Sequence, residues 1–223
     1  GHRWLTALAR EGLGGVLADD MGLGKTLQIL SAVQSLHDAS GSDAHPGGPV
    51  LVVAPTSVLG TWAHEARRFT PDLHIVVVPA TAKRRGAELE DLVRGADVVV
   101  TSYTIVRLEP ETWASIAWSG LVLDEAQAVK NPRTVLHRAL EGIRSDWSVA
   151  VTGTPVENSV GDLWSILRLV TPGLLPGWKV FTTTFRKPIE SASDPQALEH
   201  LHRLTAPFVL RRAKEQVAPD LPA

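Results

Sequence analysis

The residues best suited to chemistry form one short run, Asp20-Met21-Gly22-Leu23-Gly24-Lys25-Thr26. An apolar stretch, Gly15-Val16-Leu17-Ala18, precedes it, and Leu27, Ile29, Leu30, Val33 and Leu36 follow in a helical pattern. A strand, a glycine-rich turn and Lys-Thr at a helix start together make a cradle for a nucleoside triphosphate. The glycines let backbone N–H groups approach phosphate oxygens, and the helix N-terminus adds partial positive charge. Lys25 reaches the outer phosphates, and the Thr26 hydroxyl is a ligand for Mg²⁺. One position departs from the general phosphate-loop pattern: glycine is usual five residues before Gly24, and here Asp19 stands. For this run alone, a glycine-rich turn with a solvent-facing lysine is the competing reading.

A second run supplies what the first lacks. Leu121-Val122-Leu123-Asp124-Glu125 reads as an apolar strand ending in two carboxylates. A phosphate-loop enzyme needs one acid to hold Mg²⁺, usually through water, and another to orient or deprotonate the attacking water. Asp124 is assigned to the metal and Glu125 to the water. An Asp-Glu pair at a strand end is ordinarily just solvated. Its weight comes from standing downstream of Gly24-Lys25-Thr26 in the same alternating pattern.

The elements that must position these groups are short β-branched runs alternating with helical patterns. Strands are expected at Gly15 to Ala18, Val50 to Ala54, Leu73 to Val78, Asp97 to Thr101, Gly120 to Leu123 and Ser148 to Thr152. Helices are expected at Val58 to Phe69, Ala87 to Val93 and Thr134 to Ile143, and Trp164 falls on a helix face with Leu163, Ile166, Leu167 and Val170. Continuous apolar strands separated by helices predict an α/β fold, a parallel sheet with helices on both faces. Ligands bind such sheets beyond the carboxyl ends of the strands. Asp19-Asp20, Pro55-Thr56, Ser102-Tyr103, Asp124-Glu125 and Gly153-Thr154 all fall there. After Leu169, Pro and Gly break the alternation. Residues 171–223 are expected to form a helical extension without strands, beside a lobe spanning 1–170.

Composition narrows the class. The chain has 223 residues, 44% hydrophobic, with no cysteine and a net charge of −2. It therefore has no disulfide and no thiolate metal site. Its apolar runs are too short to span a membrane, and its start lacks the apolar core of a secretory signal. The near-neutral charge neither favours nor excludes nucleic acid, because a local basic face suffices. Gly1 in place of Met reads as a piece of a longer protein. The eight histidines show no metal spacing, and no Ser/His/Asp triad with a nucleophile elbow is present. The seven tryptophans read mostly as packing residues.

Taken together, the motifs resemble the Swi/Snf branch of the superfamily-two helicases and translocases. Asp124-Glu125-Ala126-Gln127 resembles the DEAH box, and Leu17 to Thr26, with Asp19 in place of glycine, resembles that branch's nucleotide loop. Val53 to Trp62, Thr101-Ser102-Tyr103, Val129-Lys130-Asn131-Pro132, Thr152 to Asn158 and Leu210-Arg211-Arg212 resemble its further segments, so the likeness runs through nearly the whole chain. The resemblance implies a RecA-like lobe of an ATP-driven, Mg²⁺-dependent motor on double-stranded DNA. A second RecA-like lobe of the same parent chain would carry the arginine fingers, and a nucleoprotein or polymerase is the kind of cargo implied. It also implies that Gln127, Thr152, Gly153 and Thr154 relay nucleotide state, with Gln127 where many relatives have histidine. The location implied is the nucleoid of a bacterium or the nucleus of a eukaryote, with no membrane partner.

Within that resemblance, Thr56, Ser57, Ser102, Tyr103, Thr104 and Lys130 are placed against a phosphate backbone. Hydroxyls and N–H groups after strand ends hold phosphate oxygens without reading sequence. The competing reading makes them turn and cap residues, with Thr56 an N-cap for the following helix. Arg211-Arg212 has a better claim to functional basic surface than Arg67-Arg68 or Arg84-Arg85. Two other classes stay open: a nucleotide- and DNA-binding module inactive by itself, and a phosphate-loop kinase or metabolic NTPase indifferent to DNA. If the loop is the phosphate cradle, Lys25→Ala in the full-length protein should lower ATP turnover by about 10²-fold or more. Turnover at the wild-type rate would refute the assignment.

Overall fold

The structure, a computed structural model, describes residues 1–40, 48–153 and 160–217. Within these residues the chain forms β1 (Gly15–Leu17), β2 (Val50–Ala54), β3 (Ile75–Val78), β4 (Val98–Ser102), β5 (Trp118–Leu123), β6 (Ser145–Val151) and β7 (Val209–Leu210). They make one seven-stranded sheet in the order β3-β4-β2-β5-β6-β1-β7. Every pairing is parallel.

The apolar runs explain the layering. Successive side chains on a strand point to opposite faces, so a strand buried on both sides must be apolar throughout. Val50, Val52, Val98, Val100, Val122, Val149 and Val151 all pack on one face. Helices α1 (His2–Arg10), α2 (Lys25–Ser40) and α3 (Leu59–Phe69) cover that face with Leu5, Ile29, Leu30, Val33, Trp62 and Ala66. Leu51, Val53, Val99, Leu121, Leu123 and Ala150 point to the other face. There the helices Tyr103–Leu108, Pro110–Ala114, Val135–Glu141 and Val160–Val170 bring in Ile105, Trp113, Leu140, Ile166 and Leu167.

The strand expectations hold to within a few residues. The helix expected over Ala87 to Val93 forms at Leu89–Val93, and a further short helix, Ala82–Arg85, precedes it. Gly86 between them, at φ 68°, takes the left-handed conformation that ends a helix. Thr56 does not cap α3: a 3₁₀ turn over Thr56–Val58 leads into that helix, and neither element has a side-chain cap.

The tail differs most from expectation. Helices Trp178–Phe181, Lys187–Glu190 and Pro195–Thr205 do form, and a small cluster of Trp164, Phe181, Phe185 and Leu201 holds them onto the lobe. The tail is not strandless, however, because Val209 and Leu210 return to pair with Val16 and Leu17 of β1. A two-residue strand carries no periodic signal in sequence. It exists here because β1 offers an unpaired edge, and open edges recruit backbone.

Packing is close where β5 meets β6. Gly120 is registered against Trp147, and a Cβ on Gly120 would lie 2.4 Å from two indole carbons. Gly120→Ala should therefore destabilise the fold by about 1–3 kcal/mol in chemical denaturation, as overpacking does. Trp147→Leu in the same background should recover part of the loss. An unchanged midpoint for the single variant would contradict the packing.

Candidate nucleotide site

Three neighbouring strands carry the site. β5, β6 and β1 lie side by side, with Leu123 opposite Ala150 and Leu17 opposite Val151. Their carboxyl ends release Asp124-Glu125, Thr152-Gly153 and the loop from Ala18 to Gly24 at one level of the sheet.

The loop has the shape that its glycines suggest. Gly22 and Gly24 take φ values of 88° and 65°, conformations that a residue with a Cβ rarely adopts. The chain then enters α2 at Lys25, and the Gly24 carbonyl accepts the Gln28 N–H at 2.9 Å. Free N–H groups of the first turn and the helix dipole make this a site for anions. The Lys25 ammonium donates to the carbonyls of Asp19 at 2.8 Å and Asp20 at 3.2 Å. Thr26 is half-buried in the same turn.

Asp124 is held from three sides. Its Oδ2 accepts the indole N–H of Trp62 at 2.9 Å, and its Oδ1 accepts the Glu125 N–H at 3.0 Å. Its backbone carbonyl accepts the Tyr103 hydroxyl at 2.7 Å. Burial pushes its carboxyl pKa up and the neighbouring Glu125 charge adds to this, while the Trp62 N–H and the Lys25 charge oppose it; the net shift is upward. Burial and the charges of Asp124 and Glu125 together push the Tyr103 phenol well above its ordinary range, so it is a fixed donor. Trp62 is the residue that sequence reading missed. It looks like core packing, and its only sequence signal is that a buried indole N–H needs an acceptor.

Glu125 sits at φ 50°, ψ 53°, a left-handed conformation unfavourable for a residue with a side chain. Strain of this kind persists where the surroundings over-determine the backbone, and it is common at functional sites. The Gln127 amide donates to Glu125 Oε2 at 2.6 Å, and the Thr152 hydroxyl donates to Gln127 Oε1 at 3.1 Å. A hydrogen-bonded line thus runs from β6 to the second carboxylate. A Cβ on Gly153 would lie 2.8 Å from Met21 Cγ and 3.4 Å from the Lys25 ammonium, so this turn packs against the nucleotide loop. Thr154 lies outside the described residues.

Asp19, the residue at odds with the general loop pattern, is fully buried and paired with Arg212. Burial raises its pKa, but hydrogen bonds from Arg212 and Gln28 and the guanidinium charge outweigh that and hold it below the usual value. Arg212 therefore does not form open basic surface.

The residues expected on a phosphate backbone divide. Thr56, Ser57, Thr104 and Lys130 are exposed beyond the ends of β2, β4 and β5. Ser102 and Tyr103 are buried; the Ser102 hydroxyl caps the following helix by accepting the Ile105 N–H, and Tyr103 is committed to Asp124. These two shape the surface from beneath rather than face it. Among the described residues no three His, Cys, Asp or Glu cluster as a metal cage.

Trp62→Phe removes the N–H that is bonded to Asp124, together with part of the buried volume of the indole. In the full-length protein it should lower ATP turnover by about 10-fold or more, as lost outer partners of ligating groups do, measured below the melting temperature, which the lost core volume should also lower. Unchanged turnover would show that the indole only packs.

The SNF2-related domain model matches residues 1–223. The TATA-binding protein-associated factor mot1 of Schizosaccharomyces pombe is 37% identical over 100% of this chain and 12% of its own length. The ISWI chromatin-remodeling complex ATPase CHR17 of Arabidopsis thaliana is 36% identical over 100% of this chain and 20% of its own. The Sulfolobus solfataricus SWI2/SNF2 ATPase core, solved in complex with dsDNA, superposes with a TM-score of 0.85 at 37% identity, covering 100% of this chain and 45% of that one. The chain thus spans less than half of each of these relatives, and it shares the RecA-like α/β fold of the Sulfolobus core. A domain model matched over the whole chain, on a sheet that superposes over its whole length, makes this chain a SNF2-related domain, a member of the SNF2 family.

Proposed function

We propose that this domain is the first of two RecA-like lobes of an ATP-driven translocase on double-stranded DNA. It would hydrolyse ATP at a useful rate only when a second lobe closes over the site. The observation that carries the reading is the line Glu125–Gln127–Thr152 beside the loop of Lys25 and Thr26.

Each residue has a distinct task in this reading. Backbone N–H groups of Met21, Gly22 and Gly24 and the Lys25 ammonium bind the phosphates, with Met21 and Leu23 spacing the loop. Lys25 leaves the carbonyls of Asp19 and Asp20 to do so, exchanging two neutral acceptors for charged ones. Thr26 and Asp124 would hold Mg²⁺, which when bound neutralises charge on the phosphates. Trp62 and Tyr103 keep Asp124 in place. Glu125 orients the attacking water and takes its proton. Gln127 and Thr152, with Gly153 and Thr154, tie the carboxylate's position to β6. An arginine finger adds about 10³–10⁵ in rate; in this reading it belongs to the second lobe.

The DNA surface would lie on the neighbouring strand ends. Thr56 and Ser57 follow β2, Thr104 follows β4, and Lys130 follows the turn after β5. These hydroxyls and one ammonium suit a phosphate backbone, not base edges, so binding should be indifferent to sequence. Support comes from the Sulfolobus core solved with dsDNA. Remodelling or displacement of DNA-bound protein is the work proposed for the parent molecule, and the name of CHR17, a chromatin-remodeling complex ATPase, supports the first.

Duplex DNA should stimulate ATP turnover by the full-length protein. Its affinity should fall as salt rises, and Lys130→Ala should reduce the log–log salt slope by about 1, one phosphate contact fewer. Normal nucleotide turnover with no response to DNA would reject the translocase reading in favour of a phosphate-loop enzyme acting on a small molecule.

A further inference from the structure

One buried network is left unused by the reading above. Asp19 lies at the start of the nucleotide loop and Arg212 lies 193 residues later, just after β7. Arg212 Nε donates to Asp19 Oδ1 at 3.1 Å, and its terminal nitrogen donates to Asp19 Oδ2. The same nitrogen donates to Gln28 Oε1 at 2.9 Å. The Gln28 amide donates in turn to Asp19 Oδ2 at 3.2 Å and to the Leu23 carbonyl at 2.8 Å. A continuous path of hydrogen bonds therefore leads from Arg212 to the residue between Gly22 and Gly24.

The backbone makes the same connection. Ala18 N–H donates to the Leu210 carbonyl at 2.8 Å, and Asp20 N–H donates to the Arg212 carbonyl at 3.1 Å. The Lys214 N–H donates to the Asp20 carboxylate at 3.1 Å. Residues 210–214 thus grip both aspartates whose carbonyls hold the Lys25 ammonium. The Lys214 side chain lies over the loop, its ammonium 3.5 Å from where a Cβ on Gly22 would stand.

We propose that Arg212 is a positioning residue for nucleotide binding: its clasp on Asp19 and Gln28 sets the loop's shape, so seating of residues 209–214 and nucleotide occupancy are coupled. The proposal rests on the loop being the nucleotide site. Asp19 then has a reason to replace glycine. A glycine needs no partner, whereas a buried carboxylate is stable only while the guanidinium is in place. Coupling follows because a ligand that requires one loop shape favours the seated segment, and the seated segment favours that ligand by the same factor. Arginine suits the task because its planar fork reaches Asp19 and Gln28 at once, which an ammonium cannot match.

The test uses the full-length protein, with fluorescent ATP and ADP analogues in equilibrium titrations and a thermal melt for each variant. Arg212→Lys keeps the charge and loses the fork; it should weaken nucleotide binding by about fivefold or more while melting near the wild type. Arg212→Gln combined with Asp19→Asn replaces the ion pair by a neutral one, avoids a lone buried charge, and should weaken binding further. Hydrogen exchange supplies the readout that a purely structural role would not move. In the wild type, nucleotide should slow exchange at the amides of Ala18, Asp20 and Lys214, and in Arg212→Lys that slowing should be lost. Wild-type affinity in either variant, or nucleotide protection unchanged in Arg212→Lys, overturns the proposal. Lys25→Ala separates the two readings. If it binds nucleotide as well as the wild type, the loop is not the site and both fall. If it loses binding while the Arg212 variants keep theirs, only the clasp fails.

Discussion

The parallel ladder joining β5, β6 and β1 is the constraint on which the rest of this domain depends. Its strands come from residues 118–123, 145–151 and 15–17, so nothing local in the chain brings them together. Once Leu123 is registered on Ala150 and Leu17 on Val151, the groups that follow each strand must emerge at one level. A slip of one residue would turn every strand side chain to the opposite face and carry Asp124 away from Lys25. The register is secured by burial on both faces, where valines and leucines alternate between two separate helix layers. The site is therefore placed by hydrophobic packing, and its polar groups need only short reaches to meet.

β5 has a double role. On one side its neighbours β6 and β1 hold the glycine loop; on the other, β2 and β4 are followed by the exposed hydroxyls of Thr56, Ser57 and Thr104. Asp124 stands between these halves and bonds to the second, through Trp62 from α3, which follows β2, and Tyr103 after β4. A shift of either element would be felt at the carboxylate directly. Glu125, in its left-handed backbone, turns in the other direction, toward Gln127 and Thr152. Two adjacent acids are thus fastened to different parts of the sheet.

Much of this was legible because the signals are local. Val50 to Ala54 can only be a buried strand, and the glycines before Lys25-Thr26 need the positive φ angles they adopt. The periodic face around Trp164 gives its helix in the same way. The misses share one cause. Val209–Leu210 is a strand only because β1 lacks a partner on that side. Ser102 and Tyr103 look like surface hydroxyls in sequence, yet the helix beginning at Tyr103 turns them inward. Trp62 reads as packing until the strand end beneath it proves to be a carboxylate. In each case the deciding partner is distant in sequence, and composition and periodicity carry no record of it.

By itself, then, the sequence determined the class of fold, the glycine turn before Lys25 and the acid pair at the end of β5, because these depend on residue type, glycine conformation and short-range spacing. Tertiary structure alone decided which groups touch: that Gln127 bridges Glu125 to Thr152, that Trp62 steadies Asp124, and that Asp19 belongs to Arg212. The physical reason is that a hydrogen bond is a matter of a few tenths of an ångström. Only the packed sheet, not the order of residues along the chain, sets distances that finely.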